Sequence, residues 1–169
     1  PASPAARHSL WKVESAHSAV YLLGSVHVLR PENYPLPVCM EAAFTNAALV
    51  AFETDIGALQ EFDTQQKLLT RGQLPSGQRL AGQLSPAVYA RFTNQLAETG
   101  IPLFLFDQLK PSVAAMTMMA LEMQKLGLDP EYGLDKHFYN RARMAHKRIV
   151  GLETVDFQIS LVTDFTQKE

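Results

Sequence analysis

The chain has 169 residues and a formal net charge of −2; 47% of its residues are hydrophobic and 19% are charged. This composition excludes a disordered chain and fits one globular domain with a sizeable core. The nearly balanced charge excludes a general nucleic-acid binder, which needs an excess of Lys and Arg to neutralise phosphates. It also gives no polybasic membrane anchor.

The first strongly apolar segments predict a β-hairpin followed by a βαβ unit. Residues 10–13 and 19–28 are apolar runs separated by turn-prone residues at 15–18, a pattern typical of two paired strands. Residues 38–48 carry apolar side chains at helical spacing, and the continuous apolar run 49–52 suits a strand buried on both faces. Strand, helix and strand in this order predict parallel strands in one sheet.

The rest of the chain predicts mostly helices, with two further strands. The strands are expected at residues 101–106 and 148–152, and the helices at residues 56–69, 86–98, 111–126, 134–147 and 154–166. The Met-rich helix 111–126 is expected to be buried all round, with methionine filling the core rather than binding a cofactor. The sequence therefore predicts an α/β fold with a central mixed sheet, an N-terminal hairpin and surrounding helices, in a single domain over residues 9–169.

The ends of the chain and its one cysteine bear on cellular location. Cys39 is the only cysteine, which excludes an intrachain disulfide or a Cys-based zinc site and predicts a small buried apolar side chain. Residues 1–8 are rich in Pro and Ala and predict a flexible lead-in. Such a lead-in is typical of a linker that remains after removal of a signal peptide, which predicts an exported or periplasmic protein; the alternative is the edge of an expressed piece. No run approaches the ~18 apolar residues of a membrane span.

The tetrapeptide Gly24-Ser25-Val26-His27 is the first candidate for chemistry. It ends the longest predicted strand of the hairpin, and the carboxyl ends of strands in open α/β sheets are where ligands bind. Gly24 would allow backbone or ligand to approach closely. The alternative is that His27 caps the strand by a hydrogen bond to a loop carbonyl, and the tetrapeptide alone leaves both open.

Glu53 follows the next predicted strand at the corresponding end. If the two strands are parallel neighbours ~5 Å apart, His27 and Glu53 reach a common point. An imidazole and a carboxylate suit a divalent metal, and they also suit an acid–base pair without metal. A structural ion pair is the remaining alternative.

Two further acidic residues, Asp135 and Glu153, each lie two positions after a glycine. A nearby stretch of basic residues predicts only a solvated surface. Glu153 follows the last predicted strand, although an acid in a first helical turn is also explained by the helix dipole. Asp135 opens a predicted helix, and by sequence physics an ordinary N-terminal acid is the favoured interpretation. A cationic stretch near a helix end is expected to be a solvated face: Arg141, Arg143, Lys147 and Arg148.

These motifs together resemble the TraB/GumN family, which is related to the Tiki metalloproteases. The resemblance begins at residues 21–28, which contain a GxxH motif, and continues through residues 49–53 and 109–111. It extends through Gly133-Leu134-Asp135 with a following Ala142, and through residues 151–154 with Gln158. The ordered series covers most of the chain.

The resemblance implies a metal-dependent peptidase or hydrolase on a fold shared with erythromycin-esterase-like and haem-binding relatives. His27 matches the first motif histidine, Glu53 the acid after the following strand, and Asp135 and Glu153 match signature positions. Members of the family look longer and carry a second GxxH, whereas residues 24–27 hold the only one here. The later half is therefore expected to be absent or supplied by another chain, with a homo-oligomer as the alternative.

The sequence thus predicts divalent-metal-dependent hydrolysis of a peptide or protein substrate, with Mn, Co or Zn as the ion. His27 and Glu53 are the predicted metal ligands and, with Glu153, the predicted catalytic residues. Gly24, Ser25 and Asp135 are the predicted substrate-binding residues. The alternatives are a non-catalytic module that binds a peptide or a haem-like ligand, a metal-free hydrolase of the erythromycin-esterase type, and a structural half-domain.

Overall fold

The computed structural model describes residues 8–165. Its strands and helices, in chain order, are β1 (Leu10–Glu14), β2 (Ala19–Leu23), α1 (Val38–Asn46), β3 (Leu49–Phe52), α2 (Ile56–Leu59), α3 (Phe62–Arg71), α4 (Pro86–Ala97), α5 (Pro111–Lys125), α6 (Leu134–Met144), β4 (Arg148–Gly151) and α7 (Val155–Thr163). The lead-in expected at residues 1–8 lies outside the described residues except for His8, as does residue 166 of the last predicted helix. The expectation of export stays a prediction.

The α/β class and the N-terminal hairpin are confirmed. Strands β1 and β2 pair antiparallel, with Leu10 opposite Leu23 and Glu14 opposite Ala19. Strand β2 ends five residues earlier than the apolar run predicts, because its pairing with β1 finishes there: the Gly24 N–H donates to the Ser9 carbonyl at 2.7 Å. His27 consequently lies in the loop after the strand and not on it.

The four described strands form two two-stranded sheets, β1–β2 and β3–β4. Strands β2 and β3 therefore belong to different sheets, and the parallel pairing expected of them is not formed. Strand β3 was also expected to be buried on both faces, which is wrong: Phe52 is buried, but Leu49 is 40% exposed. Among the described strands β3 pairs with β4 alone, so it lacks the inner position in a larger sheet that a strand buried on both faces usually has.

One face of the hairpin is apolar and open to solvent. Trp11 lies opposite Leu22 and Val13 lies opposite Val20, and strand alternation places all four on the same face. Their side chains are between 54% and 60% exposed. Burial within the described residues therefore stabilises this face little. A two-stranded hairpin without such burial is only marginally stable in water.

The chain folds into two compact units, each with its own buried apolar residues. The first contains residues up to 52 and residues 128–150; the second contains residues 53–127 and residues from 151 onward. In the first unit, helix α6 buries Phe138 and Tyr139 against α1 and β3. Phe138 stacks on Phe44 at 5.4 Å between ring centroids, and Tyr139 meets Phe52 edge-on at 5.7 Å.

A lysine joins the end of α1 to the segment after α6 within this unit. The Lys147 ammonium donates to the Phe44 carbonyl at 2.9 Å, to the Thr45 carbonyl at 3.1 Å and also to the Ala47 carbonyl. Two of these carbonyls belong to the last turn of α1 and the third to its C-cap residue, Ala47, where the helix dipole favours a cation. Arg141 pairs with Glu41 of α1. The solvated cationic face expected here is therefore wrong for these two residues, because both turn toward α1.

In the second unit, α4 and α5 enclose a small apolar core. Its most buried members are Leu80, Leu96, Phe106 and Ala114, each at most 3% exposed. Phe92 meets Phe106 edge-on at 5.5 Å. Burial of an aliphatic side chain such as Leu80 or Leu96 contributes roughly 1.5–3 kcal/mol, so these residues hold the unit together.

Several local predictions are wrong in informative ways. Residues 101–106 form a loop with a 3-10 turn at Leu103–Leu105, because Pro102 lacks an N–H for strand pairing. Phe106 is buried in the core and Ile101 packs against it. Helix α5 is buried on one side only; Met116 and Met119 are 43% and 51% exposed because the core lies against Ala114.

Cys39 was expected to be buried, which is wrong: it is exposed because it falls on the outer face of α1. The helix expected at 56–69 is split into α2 and α3 by Gln60 and Glu61.

Across residues 8–165, every helix is too short or too polar to cross a lipid bilayer.

Candidate functional site

The GxxH segment follows β2 and is held against the hairpin at its first residue. A side chain at Gly24 would place its Cβ 2.9 Å from the Cβ of Ser9, so glycine is needed for this close approach. Ser25 and His27 are exposed. The predicted contacts of Gly24 and Ser25 with substrate stay predictions.

The start of α6 packs against this segment. The Leu134 N–H donates to the Val26 carbonyl at 2.9 Å. A Cβ built on Gly133 would lie only 2.2 Å from the carbonyl oxygen of His27, a distance that no real side chain tolerates. Glycine at 133 therefore allows the helix to begin directly beside His27.

This packing brings Asp135 to His27. The Nδ1 atom of His27 lies 2.6 Å from Oδ2 of Asp135, and the two residues are 108 positions apart in sequence. The Asp135 side chain is 22% exposed and that of His27 is 71% exposed. As a carboxylate, Asp135 accepts a hydrogen bond from the Nδ1–H group of His27, so the Nε2 atom of the exposed imidazole carries the lone pair that can bind a ligand.

Two more contacts tie the same segments together. Leu29 and Asp129 form an antiparallel bridge, in which the Asp129 N–H donates to the Leu29 carbonyl at 2.8 Å. The Tyr34 hydroxyl donates to the Tyr132 carbonyl at 2.7 Å. The loop that carries His27 is thus anchored on both sides of the imidazole, which limits how far it can move.

Glu53 and Glu153 form a second pair, in the second unit. The Glu153 N–H donates to the Glu53 carbonyl at 2.7 Å, and both residues are exposed. A Cβ on Gly151 would lie 2.9 Å from the Asp55 nitrogen, so this glycine permits the close approach of the two segments. The Glu153 carboxylate also accepts a hydrogen bond from the Gln158 amide at 2.5 Å.

Thr54 directly follows Glu53 and is 5% exposed. Within residues 8–165 its hydroxyl oxygen is buried without a hydrogen-bond partner. An unpaired buried hydroxyl costs ~1–3 kcal/mol. The sequence pattern does not single out Thr54, because threonine is a common residue next to strands and its burial becomes visible only in the folded structure.

The structure therefore brings the predicted residues together in two pairs: His27 with Asp135, and Glu53 with Glu153. The convergence of His27 with Glu53 stays a prediction. In the part of the chain that is described, no group of three His, Cys, Asp or Glu side chains is placed to hold a metal ion.

A charged cluster behind Asp135 was not expected from sequence. The Nε2 atom of His137 lies 3.3 Å from Oε1 of Glu41, and Arg141 pairs with the same carboxylate. The Tyr34 ring packs on His137 with centroids 5.1 Å apart. Burial lowers the pKa of His137 below its ordinary value. This cluster fixes α6, and hence Asp135, against α1.

The chain is an α/β protein in which a GxxH histidine is paired with an aspartate from a distant helix. The sequence profile of the TraB/PrgY/gumN family matches residues 9–169, and the chain belongs to that family. The predicted resemblance is thereby confirmed.

Comparison with curated proteins finds relatives named as uncharacterized protein YbaP. Those of Escherichia coli (strain K12) and Shigella flexneri are each 28% identical to this chain over 148 residues, which is 88% of this chain and 53% of each relative. The chain thus spans about half the length of the curated relatives it matches. No solved structure matches it.

Proposed function

We propose that the protein is a divalent-metal-dependent hydrolase that acts on peptide bonds, with His27 as a metal ligand. The observation that supports this most directly is the pairing of His27 Nδ1 with Asp135 at 2.6 Å. Metal-binding histidines commonly donate their second ring N–H to a carboxylate, which orients the ring and makes the ligating nitrogen more basic. The exposed Nε2 of His27 matches this arrangement.

The proposal changes the role of Asp135. It was expected to bind substrate, but its carboxylate contacts the imidazole, so we assign it as a positioning residue. Glu53 is proposed as a second ligand or as the general base, and Glu153 as a residue that lines the site. Imidazole and carboxylate donors together suit Mn, Co or Zn.

A divalent ion bound there would supply water activated for attack at neutral pH. The chain's own residues would bind and orient: Asp135 would hold the His27 tautomer, and a carboxylate such as Glu53 would accept a proton. Because the described residues contain no set of three ligands, we propose that the set is completed by sequence that the longer relatives have beyond this chain, or by a second copy.

Metal titration of the intact chain tests the proposal. We expect Mn, Co or Zn to bind stoichiometrically, and His27→Ala to abolish this binding. His17→Ala is the matched control, because His17 is an exposed histidine in the hairpin turn and its loss should leave metal binding unchanged. Equal binding by wild type and His27→Ala would exclude His27 as a ligand.

A metal-free hydrolase is the second candidate, and the same pair supports it. A histidine whose Nδ1 is held by a carboxylate is an efficient general base through Nε2. Cleavage of unfolded casein with and without exhaustive chelation separates the two candidates. Activity that survives chelation but is lost in His27→Ala favours the metal-free reaction. Metal or peptide binding without cleavage would instead favour a binding module.

A further inference from the structure

The peptide group that joins Tyr132 to Gly133 is held at both of its polar atoms. Its carbonyl oxygen accepts a hydrogen bond from the Tyr34 hydroxyl at 2.7 Å, and its N–H donates to the Pro130 carbonyl at 3.0 Å. A peptide unit is planar, so holding both atoms fixes its orientation. Because Gly133 packs directly against the His27 carbonyl, this orientation sets where the chain enters α6 beside the imidazole.

The Tyr34 ring contacts the chain on both sides of Asp135. It packs on Tyr132, which precedes Asp135, with centroids 6.0 Å apart, and on His137, which follows it, with centroids 5.1 Å apart. Burial raises the pKa of Tyr34 above its ordinary value, so the hydroxyl keeps its proton and remains a donor at neutral pH. Tyr34 is therefore a fixed donor and not a mobile surface side chain.

The pair that this arrangement supports tolerates little displacement. His27 Nδ1 lies 2.6 Å from Asp135 Oδ2, and hydrogen bonds to nitrogen donors extend to ~3.2 Å. A displacement of the start of α6 by little more than about half an ångström would carry the carboxylate beyond that range. The neutral imidazole would then lose the partner that keeps its proton on Nδ1.

We propose that Tyr34 is a positioning residue for the pair of His27 and Asp135. Its hydroxyl fixes the peptide group between Tyr132 and Gly133, and this peptide group holds the Asp135 carboxylate against the imidazole. All five residues belong to the first unit. The inference rests on the proposed function for its consequence, which is that Tyr34 increases the affinity of His27 for a metal ion without contacting the ion.

Tyr34→Phe tests this, because it removes the hydroxyl and keeps the ring on His137. We expect the ratio of Nδ1-protonated to Nε2-protonated neutral His27 to fall about threefold, a factor typical of losing one neutral hydrogen bond. The ¹⁵N chemical shifts of the ring measure the ratio in the full metal-free chain, and His27→Ala identifies the signals by their loss. Tyr21→Phe, the same change in strand β2, is the matched control and should leave the ratio unchanged.

A double-mutant cycle separates positioning from a general loss of stability. In Asp135→Asn the carboxylate that Tyr34 positions is absent, so adding Tyr34→Phe should not change the ratio further. Lys147→Met weakens the same unit at the end of α1 and should also leave the ratio unchanged. Each variant is first checked for a dispersed amide spectrum, so that unfolding is not mistaken for a tautomer shift.

An unchanged ratio in Tyr34→Phe would overturn the inference. The same would follow from an equal change in Lys147→Met, or from a full further change when Tyr34→Phe is added to Asp135→Asn. Metal titration is a separate readout, in which we expect Tyr34→Phe to weaken binding and His27→Ala to abolish it. Failure of the wild type to bind metal would refute the proposed function and leave the tautomer result standing.

Discussion

The carbonyl oxygen of His27 occupies the space where any residue other than glycine at position 133 would place its Cβ, only 2.2 Å away. This contact sets the distance between the GxxH loop and helix α6. Because Asp135 is two residues further along that helix, the same contact determines whether its carboxylate reaches the imidazole. The two motifs therefore act as one structural element.

Substitution Gly133→Ala should separate them. The added methyl group cannot fit against the His27 carbonyl, so the loop or the helix must shift, and we expect a loss of about 2 kcal/mol or more in the free energy of unfolding. Urea denaturation measures it. Gly82→Ala is the control, because a Cβ at Gly82 meets nothing within 4 Å. A similar loss in both variants would show that the effect comes from alanine in the backbone and not from the contact with His27.

Asp135→Asn tests the positioning role independently of activity. In the wild type, the carboxylate should keep the proton of neutral His27 on Nδ1. An amide can either donate or accept, so we expect the variant to shift the imidazole toward the Nε2-protonated tautomer. The ¹⁵N chemical shifts of the ring report the tautomer ratio. Glu131→Gln, an exposed acid before the same helix, should not alter the ratio; an unchanged ratio in Asp135→Asn would refute the assignment.

Lys147→Met should destabilise the first unit by about 1–2 kcal/mol, because the ammonium group caps several carbonyls at the end of α1. The thioether keeps most of the packing on Phe44, whose ring lies 4.8 Å from the ammonium nitrogen. Thermal and urea unfolding measure the change. Lys12→Met removes the same charge from an exposed hairpin position and should have little effect. An equal loss of stability in Lys147→Met and Lys12→Met would show that the change in net charge causes it, and not the loss of the cap on α1.

The stability of the protein should depend on His137 as the pH changes. Burial lowers the folded-state pKa of this imidazole, so the folded state binds its proton less readily than the unfolded chain, whose ordinary pKa is 6.5. Neutral His137 therefore costs no stability above pH 6.5. The free energy of unfolding falls as the pH drops through that value toward the folded-state pKa, because the unfolded chain takes up the proton first. The imidazole contacts the Glu41 carboxylate, which also pairs with Arg141, and it packs against the Tyr34 ring.

We expect the free energy of unfolding to fall between about pH 7.5 and pH 5.5 in the wild type, and to fall less in His137→Gln. Urea denaturation at several pH values measures the slope. The exposed His17, replaced by Gln, serves as the control and should leave the slope unchanged. An identical slope in His137→Gln would assign the pH dependence to other groups.

Local signals predicted the secondary structure well wherever neighbours in sequence decide it. The helix predicted at residues 86–98 begins at Pro86 as expected, and the Ser85 hydroxyl caps it by accepting from the Val88 N–H. The prediction failed at residues 101–106, where a short apolar run looks the same whether it pairs as a strand or folds as a loop over a core. Strand pairing depends on a distant partner, and none is formed there.

The sequence by itself determined the class of fold, the family, and which residues are candidates for chemistry. Motif spacing and hydrophobic periodicity depend on residues close together in the chain, so both can be read without a structure. Only the tertiary structure decided what those residues touch. The carboxylate that contacts His27 belongs to Asp135, which the local pattern explains as an ordinary acid at the start of a helix. Their contact spans 108 positions and depends on a glycine packed against a carbonyl, a steric fact that exists only once the chain has folded.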